Sequence, residues 1–176
     1  LEPLSIPEGA EFLRALGMKL SHYDMYKLLS IVGGVPWYLE QFNPGMTADD
    51  NIKQLAFEKN GLLVAEFDRI FHDLCNGKGA TYKKILDSLK DGARTLSEIR
   101  QSIEFAHSGT LSQMMDNLIV AGFVVKESLW SFKTAEPLKQ SLYRISDPYM
   151  RFYLKVIEPN LGAIADGGFD QVPLST

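Results

Sequence analysis

Apolar side chains recur at three- and four-residue intervals along most of this chain, broken by short clusters of Gly, Pro, Asn and Asp. That period is the signature of helices with one buried face. Ser5-Ile6-Pro7-Glu8 has the capping-box pattern, and Phe12, Leu13 and Leu16 give the helix that follows an apolar face. Ser21 opens a second helix, with Tyr23, Met25, Leu28, Leu29 and Val32 expected inward. Gly33 and Gly34 stop it, and Pro36 restarts a short helix through Trp37, Tyr38, Leu39 and Phe42. Asn43-Pro44-Gly45 ends that turn, and Thr47 caps a stretch reaching about Lys59. Asn60-Gly61 breaks the chain, and a further helix is expected from about Leu62 to Cys75.

Asn76-Gly77-Lys78-Gly79 reads as a linker, and the rhythm changes after it. Tyr82, Ile85, Leu86 and Leu89 line one face of a helix that ends at Asp91-Gly92. Thr95-Leu96-Ser97-Glu98 is a second capping box and opens a short helix through Ile99 and Ile103. Ser108 or Thr110 opens a third, with Leu111, Met114, Met115 and Leu118 at core spacing and Gly122 as its stop. Phe123-Val124-Val125 reads as a strand, residues 133–139 as a loop, and Leu142–Ile145 as a returning strand. Helix, helix, helix, strand, wing and strand is the element order of a winged helix-turn-helix. A last helix is expected from Pro148 to Glu158, with Tyr149, Phe152, Tyr153 and Val156 on its apolar side. Pro159-Asn160 is read as its end, and residues 161–176 as a poorly ordered tail or the start of another domain.

The 176 residues suffice for one ordinary domain or two small ones, and the 45% hydrophobic fraction is that of a globular chain. No apolar run reaches the length of a membrane span, and no basic stretch leads into an apolar one. Cys75, the single cysteine, has no internal disulfide partner, so the expected compartment is the cytoplasm. The first residue is Leu1 rather than Met, which leads to the expectation of a fragment of a longer protein. The net charge of −4 is unevenly spread: residues 1–75 carry 6 Lys and Arg against 11 Asp and Glu, whereas residues 76–160 carry 12 against 9. Such a change of sign suggests two modules with different partners.

Catalytic chemistry finds no support in the spacing. Gly77-Lys78-Gly79 echoes a phosphate-binding loop, but the template needs glycine where His72 stands and Ser or Thr where Gly79 stands. Ser21, His22 and Asp24 share one helical turn, and a triad is assembled from distant segments. His72 and Asp73 near Cys75 lack a second pair at metal-ligand spacing, so no metal site is expected. The third helix of the winged-helix segment offers Ser108, Thr110, Ser112, Gln113 and Asn117, which are able to bond phosphates or base edges. From Ser108 to Gly122 it has no Lys or Arg, so phosphate neutralisation falls to Lys78, Lys83, Lys84, Arg94, Arg100, Lys126, Lys133 and Lys139. DNA binding and protein packing are equally open to it. The aromatic stripes at Trp37-Tyr38 and at Tyr149, Phe152 and Tyr153 are read as core.

Two phrases carry a resemblance: GGVPWYLEQF at Gly33–Phe42, and LYRISDPYMRFYLKVIEPN at Leu142–Asn160. With EPLSIPEGAEFL before them and NGLLVAEFDRIFHDL between, residues 1–160 resemble the C-terminal half of the prokaryotic, archaeal-type ATPases of the STAND/AAA+ class. In those proteins an NTPase core precedes a helical lid and a winged helix, and many members add a restriction-nuclease-like domain. The resemblance implies a mainly α fold: a lid over residues 1–75, a winged helix-turn-helix with a small β-wing and a C-terminal helix over 76–160, and a tail over 161–176. It implies that Gly34 and Pro36 approach a nucleotide held by the core, with Gly33 shaping the turn. ATP, with Mg²⁺ in the full-length protein, is the implied cofactor, although this fragment alone is not expected to hold it.

The implied function is a lid that senses ATP and a winged helix that relays nucleotide state to double-stranded DNA or a protein. Lys83, Lys84, Arg94, Arg100, Ser108, Thr110, Ser112, Gln113, Asn117 and Lys133 are its nucleic-acid-binding candidates. The ATPase core, a nuclease-like domain and further copies of the chain are the expected protein partners, with no membrane. The chain departs from the family in lacking the phosphate loop and the acidic Mg²⁺-binding strand, and Lys126-Glu127-Ser128 stands where the wing usually has a proline. A free-standing winged-helix transcription regulator with a helical oligomerisation region is the alternative, and an interaction scaffold a third reading.

Overall fold

The computed structural model describes residues 3–74, 79–106, 108–131 and 133–167. The chain is mainly helical with one small antiparallel sheet, and it divides into two compact units. One comprises the residues up to Phe67 together with those from Phe152; the other is Asp68–Arg151. The expected division at 75/76 and the assignment of the C-terminal helix to the second module therefore differ from the observed grouping. The reason is aromatic. Tyr153 stacks on Phe67 with ring centroids 4.2 Å apart and planes 8° from parallel. Phe152 meets Phe57 edge-on at 6.2 Å. These contacts join Phe152 and Tyr153 to the first unit.

In the first unit α1 (Ile6–Ala15), α2 (His22–Val32), α3 (Pro36–Leu39) and α4 (Ala48–Ala56) form where the caps predict, followed by α5 (Leu62–Leu74), which runs on into the second unit. The Glu8 carboxylate accepts from Ser5 N at 2.8 Å and from Ser5 Oγ at 2.6 Å. Ser21 and Thr47 each accept a backbone N–H three residues on, at 3.1 Å from Asp24 and Asp50 respectively. Leu13, Met25, Leu28, Leu39, Ile52 and Leu63 form the core. Tyr23, expected inward, is instead 68% exposed. It sits two residues before Met25 and so falls on the far side of α2 from the buried stripe.

Buried Asn51 clasps the loop before its own helix. Its Oδ1 accepts from Asn43 N at 2.7 Å, and its Nδ2 donates to Asn43 O at 3.1 Å and Thr47 O at 2.9 Å. A fully bonded amide in a core costs little, whereas removing it takes the acceptor from Asn43 N; Asn43 O and Thr47 O still accept from Met46 N and Asn51 N, each at 3.1 Å.

The second unit holds α6 (Gly79–Leu89), β1 (Arg94–Thr95), α7 (Leu96–Ser102), α8 (Ser108–Val120), β2 (Val124–Ser131), β3 (Glu136–Ile145) and α9 (Pro148–Phe152), whose last residue is grouped with the first unit. Apolar periodicity does not predict β1, because two residues are too few to show a period. Yet β1 pairs with β3, Arg94 opposite Tyr143 and Thr95 opposite Leu142, in a sheet ordered β1-β3-β2. β2 and β3 pair from Val124–Ile145 outward to Ser131–Glu136, with an irregularity between Ser128 and Trp130. The residues expected as a long loop are mostly strand, and the turn is confined to the stretch before Glu136, where Ala135 has φ 53°. The expected core of α6 and α8 is buried: Tyr82, Ile85, Leu86, Leu89, Leu111, Met114, Met115 and Leu118.

The C-terminal helix does not stop at Pro159. It widens to a π turn over Tyr153–Ile157, tightens to a 3₁₀ turn over Glu158–Asn160, and continues as α10 (Leu161–Ala165). Pro159 has no N–H to donate and its ring crowds the preceding turn, which accounts for the change of pitch. Asn160 Nδ2 donates to Val156 O at 2.7 Å, serving a carbonyl near the irregularity. Ile164, 1% exposed, anchors α10, so the first residues of the expected flexible tail are ordered helix.

Two substitutions test the backbone constraints. A Cβ at Gly34 would lie 1.9 Å from Leu4 O, so Gly34→Ala is expected to destabilise the chain by about 2 kcal/mol or more. Glu104 has φ 51° just past the end of α7, so Glu104→Gly is expected to stabilise by about 1 kcal/mol. Urea unfolding followed by circular dichroism reads both, and equal, small effects would contradict the stated geometry.

Candidate functional site

The sequence-predicted residues separate into two places. At the turn between α2 and α3, Gly33 has φ 69°, a conformation that favours glycine. Leu4 N donates to Gly34 O at 2.8 Å, and Leu4 O occupies the space a side chain at 34 would need. The close backbone approach that Gly34 permits is thus made by the chain's own N-terminal segment. Gly33 and Pro36 are half-buried and Trp37 is 37% exposed beside them in sequence. Of the expected nucleotide-proximal set, Gly33 and Pro36 keep accessible surface, while Gly34 holds the turn together.

The other candidates lie in the second unit, Asp68–Arg151. Lys84 and Arg94 line one cleft of about 440 Å³, together with Asp87, Ser88, Ser102, Ile103 and Glu104. The hydroxyls of Ser88 and Ser102 donate to the carbonyls of Ile85 and Ile99, at 2.6 and 2.8 Å. Their lone pairs remain for a ligand donor. Asp87 lies 3.7 Å from Lys90, so the cleft carries both signs of charge rather than a cationic field. Arg100 belongs to a neighbouring hollow of about 220 Å³ between α7 and α8, lined also by Leu96, Ser97 and Leu111.

On α8, Thr110 and Gln113 are exposed. Asn117, one of the expected base-reading residues, is committed internally: its Nδ2 donates to Tyr82 Oη at 2.8 Å, and its Oδ1 accepts from Gln113 Nε2 at 3.4 Å. That bond ties α8 to α6, and a side chain so engaged has less to offer a base edge. Ser112 and Lys83 are half-buried, and Lys133 is exposed in the hairpin turn. Lys78 lies outside the described residues, as do the side chains of Ser108 and Lys139. Among the described residues no group of His, Cys, Asp and Glu is arranged to hold a metal ion, and no helix is long and apolar enough to cross a membrane.

Within the second phrase of the resemblance, Ser146-Asp147-Pro148-Tyr149-Met150-Arg151 forms a corner. Ser146 N donates to Phe123 O at 3.0 Å and Ser146 Oγ to Gly122 O at 2.9 Å. Asp147 Oδ1 accepts from Met150 N at 2.7 Å, which caps α9, and Arg151 Nη2 donates to Ile145 O at 3.1 Å. Burial pushes the Asp147 carboxyl above its ordinary value, against the lowering effects of the Met150 N–H and the Arg151 charge. The backbone and hydroxyl of Thr95 hold the Glu98 carboxyl below its ordinary value. These bonds hold the corner at Ser146–Arg151 and the start of α7.

Sequence reasoning overlooked Trp130, 54% exposed, and Leu138, 47% exposed, both on the β2–β3 hairpin. Their signal was available: both fall where the alternation of the hairpin strands places apolar residues beyond the reach of any predicted helix.

No protein-family model matches the chain, and no solved structure does. The chain is similar to the uncharacterized protein MJECL04 of Methanocaldococcus jannaschii, 31% identical over 176 residues. The match takes in 97% of this chain and 36% of that protein, so the chain spans about a third of its relative's length.

The two carboxyls shift in opposite directions, which fixes the sign of their pH dependence. A raised folded value at Asp147 makes stability fall as pH rises from the unfolded value through the folded one. A lowered value at Glu98 makes stability present above the unfolded value and lost as pH falls through the folded one. Asp147→Asn, whose amide oxygen still caps Met150, is expected to gain stability at neutral pH relative to pH 4. Glu98→Gln is expected to lose it. Urea midpoints across pH 3–7 check both, and parallel profiles for the two variants would refute the assignment.

Proposed function

We propose that this chain is the lid and winged-helix portion of a larger archaeal-type ATPase of the STAND/AAA+ class. In this reading the first unit is the lid, and it senses ATP held by a core outside the chain. Asp68–Arg151 is the winged helix, and it passes the nucleotide state to DNA or to a protein. The observation that carries the reading is the order α6, β1, α7, α8, β2, β3, with β1 joining the hairpin through β3. A short strand between the first two helices, completed by a returning hairpin, is how a winged helix-turn-helix is built. The length of the archaeal relative supports a role as one portion of a longer protein over the free-standing regulator.

Coupling requires ATP to favour one lid arrangement over another. Gly33 and Pro36 are the proposed nucleotide-facing residues, offering a backbone and a flat apolar ring, and Gly34 fixes the turn on which they stand. The phosphates and Mg²⁺ belong to the core, because this chain supplies neither a phosphate loop nor a set of metal ligands among its described residues. For the second unit, DNA contact through Lys84, Arg94, Arg100 and Lys133 is the proposal, with Thr110 and Gln113 of α8 as polar partners.

Two measurements test this. The full-length reading frame is expected to hold a G-x-x-x-x-G-K-[ST] motif about one domain's length, roughly 150 to 250 residues, before Leu1. A start codon close to Leu1 sinks the ATPase reading. Fluorescence anisotropy with a labelled DNA duplex is expected to show binding that weakens steeply with salt. Replacing Lys84, Arg94 and Arg100 by Ala should reduce the log–log salt slope by about 1 for each phosphate that is no longer neutralised. Absence of binding at low salt would leave the second unit a protein-packing relay.

A further inference from the structure

We propose that the indole of Trp130 is a stacking platform for an unpaired base, so that the β2–β3 hairpin recognises DNA with single-stranded character. This deepens the nucleic-acid reading and rests on it. The starting point is where the exposed surface lies. The inner half of the hairpin is packed: Val124, Tyr143 and Ile145 are buried, and Arg144 Nε donates to Glu127 Oε1 at 2.6 Å. From Ser128 outward the pairing register shifts, and beyond that shift stands Trp130, opposite Pro137 and 54% exposed. Register irregularities of this kind bend and twist a strand and re-aim its side chains. An indole left open to water lacks the burial that would stabilise it, and a flat partner would recover that burial.

Charge selects the partner. Residues 124–145 carry 4 Lys and Arg against 2 Glu, and the Arg144–Glu127 pair neutralises itself. Lys126, Lys133 and Lys139 then face one remaining acid, Glu136, in sequence. Lys126 lies 5.9 Å above the Tyr143 ring, and Lys133 is exposed in the turn three residues from Trp130. An exposed aromatic ring on a hairpin with an excess of cations in its sequence is the combination that suits single strands: cations track the phosphates and the ring stacks on a base. Duplex readout is less well provided. α8 has no Lys or Arg, and Asn117 is held by Tyr82. The distribution of groups therefore places the weight of recognition on the hairpin and on bases that are free to unstack.

The chain has only two tryptophans, Trp37 and Trp130, which permits a direct test. In a Trp37→Phe background all indole emission reports on Trp130. Titrating the full chain with unlabelled oligo-dT is expected to quench that emission, and a blunt duplex of equal length is expected to bind with little quenching. By anisotropy, Trp130→Ala should weaken oligo-dT binding roughly tenfold, with Trp130→Phe retaining most of the affinity. Trp130 is exposed, so circular dichroism should be unchanged in both. Binding of oligo-dT with unaltered emission and full affinity in Trp130→Ala overturns the stacking role while leaving DNA binding through the helices. Binding to the duplex alone overturns the single-strand preference. No binding of either DNA at low salt overturns the nucleic-acid reading itself.

Discussion

The second unit depends on the pairing of β3 with a strand of two residues. Arg94 and Thr95 are too short to persist alone, and they exist as a strand because Tyr143 and Leu142 lie opposite them. Thr95 then serves twice. It is buried in the pairing, and its Oγ1 accepts from Glu98 N at 3.2 Å to begin α7. One residue thus fixes both the edge of the sheet and the start of a helix. The placement of α7, and of α8 after it, follows from a backbone pairing rather than from helix propensity. β3 has partners on both sides, and the corner at Ser146–Arg151 holds its exit against Gly122 and Phe123.

Local pairing also governs the ends of the helices. Ser5, Ser21, Thr47 and Thr95 each open a helix with the acid three residues on, at Glu8, Asp24, Asp50 and Glu98. Each of these acids accepts from the hydroxyl of its cap, and three of them, Glu8, Asp24 and Asp50, are among the 11 Asp and Glu of residues 1–75. That part of the acidic balance describes how helices are started. The cations of the second unit fall into different settings. Arg144 and Lys90 have acidic neighbours, whereas Lys84, Arg94, Arg100 and Lys133 border clefts or stand in a turn.

The lid reading gives the α2–α3 turn a mechanical sense. Gly34 is pinned to Leu4 by a backbone hydrogen bond and by contact too close for a side chain. The turn carrying Gly33 and Pro36 is therefore held from behind, and a ligand at its outer side would meet a preorganised surface. Asn51 does the same for the loop after α3, and the Phe67–Tyr153 stack does it for the return of the chain. A lid that reports nucleotide state has to move as a body, and these contacts make the first unit cohesive.

Local chemistry was enough to read the helices, their caps and most of their buried faces. Capping pairs act over three residues and core stripes over four, so Ser21, Thr47, Thr95 and the apolar faces of α6 and α8 were legible without any partner. The strands Val124–Val125 and Leu142–Ile145 were legible for the same reason. What the sequence could not decide were relations between distant residues. Whether Tyr23 is buried depends on which side of α2 meets α1 and α4. Whether Asn117 reads a base or bonds Tyr82 depends on an approach across 35 residues. The strand at Arg94–Thr95, the helix beyond Pro159 and the joining of Phe152 and Tyr153 to the first unit were decided by tertiary contact. Each draws its stability from a surface that only the folded chain creates.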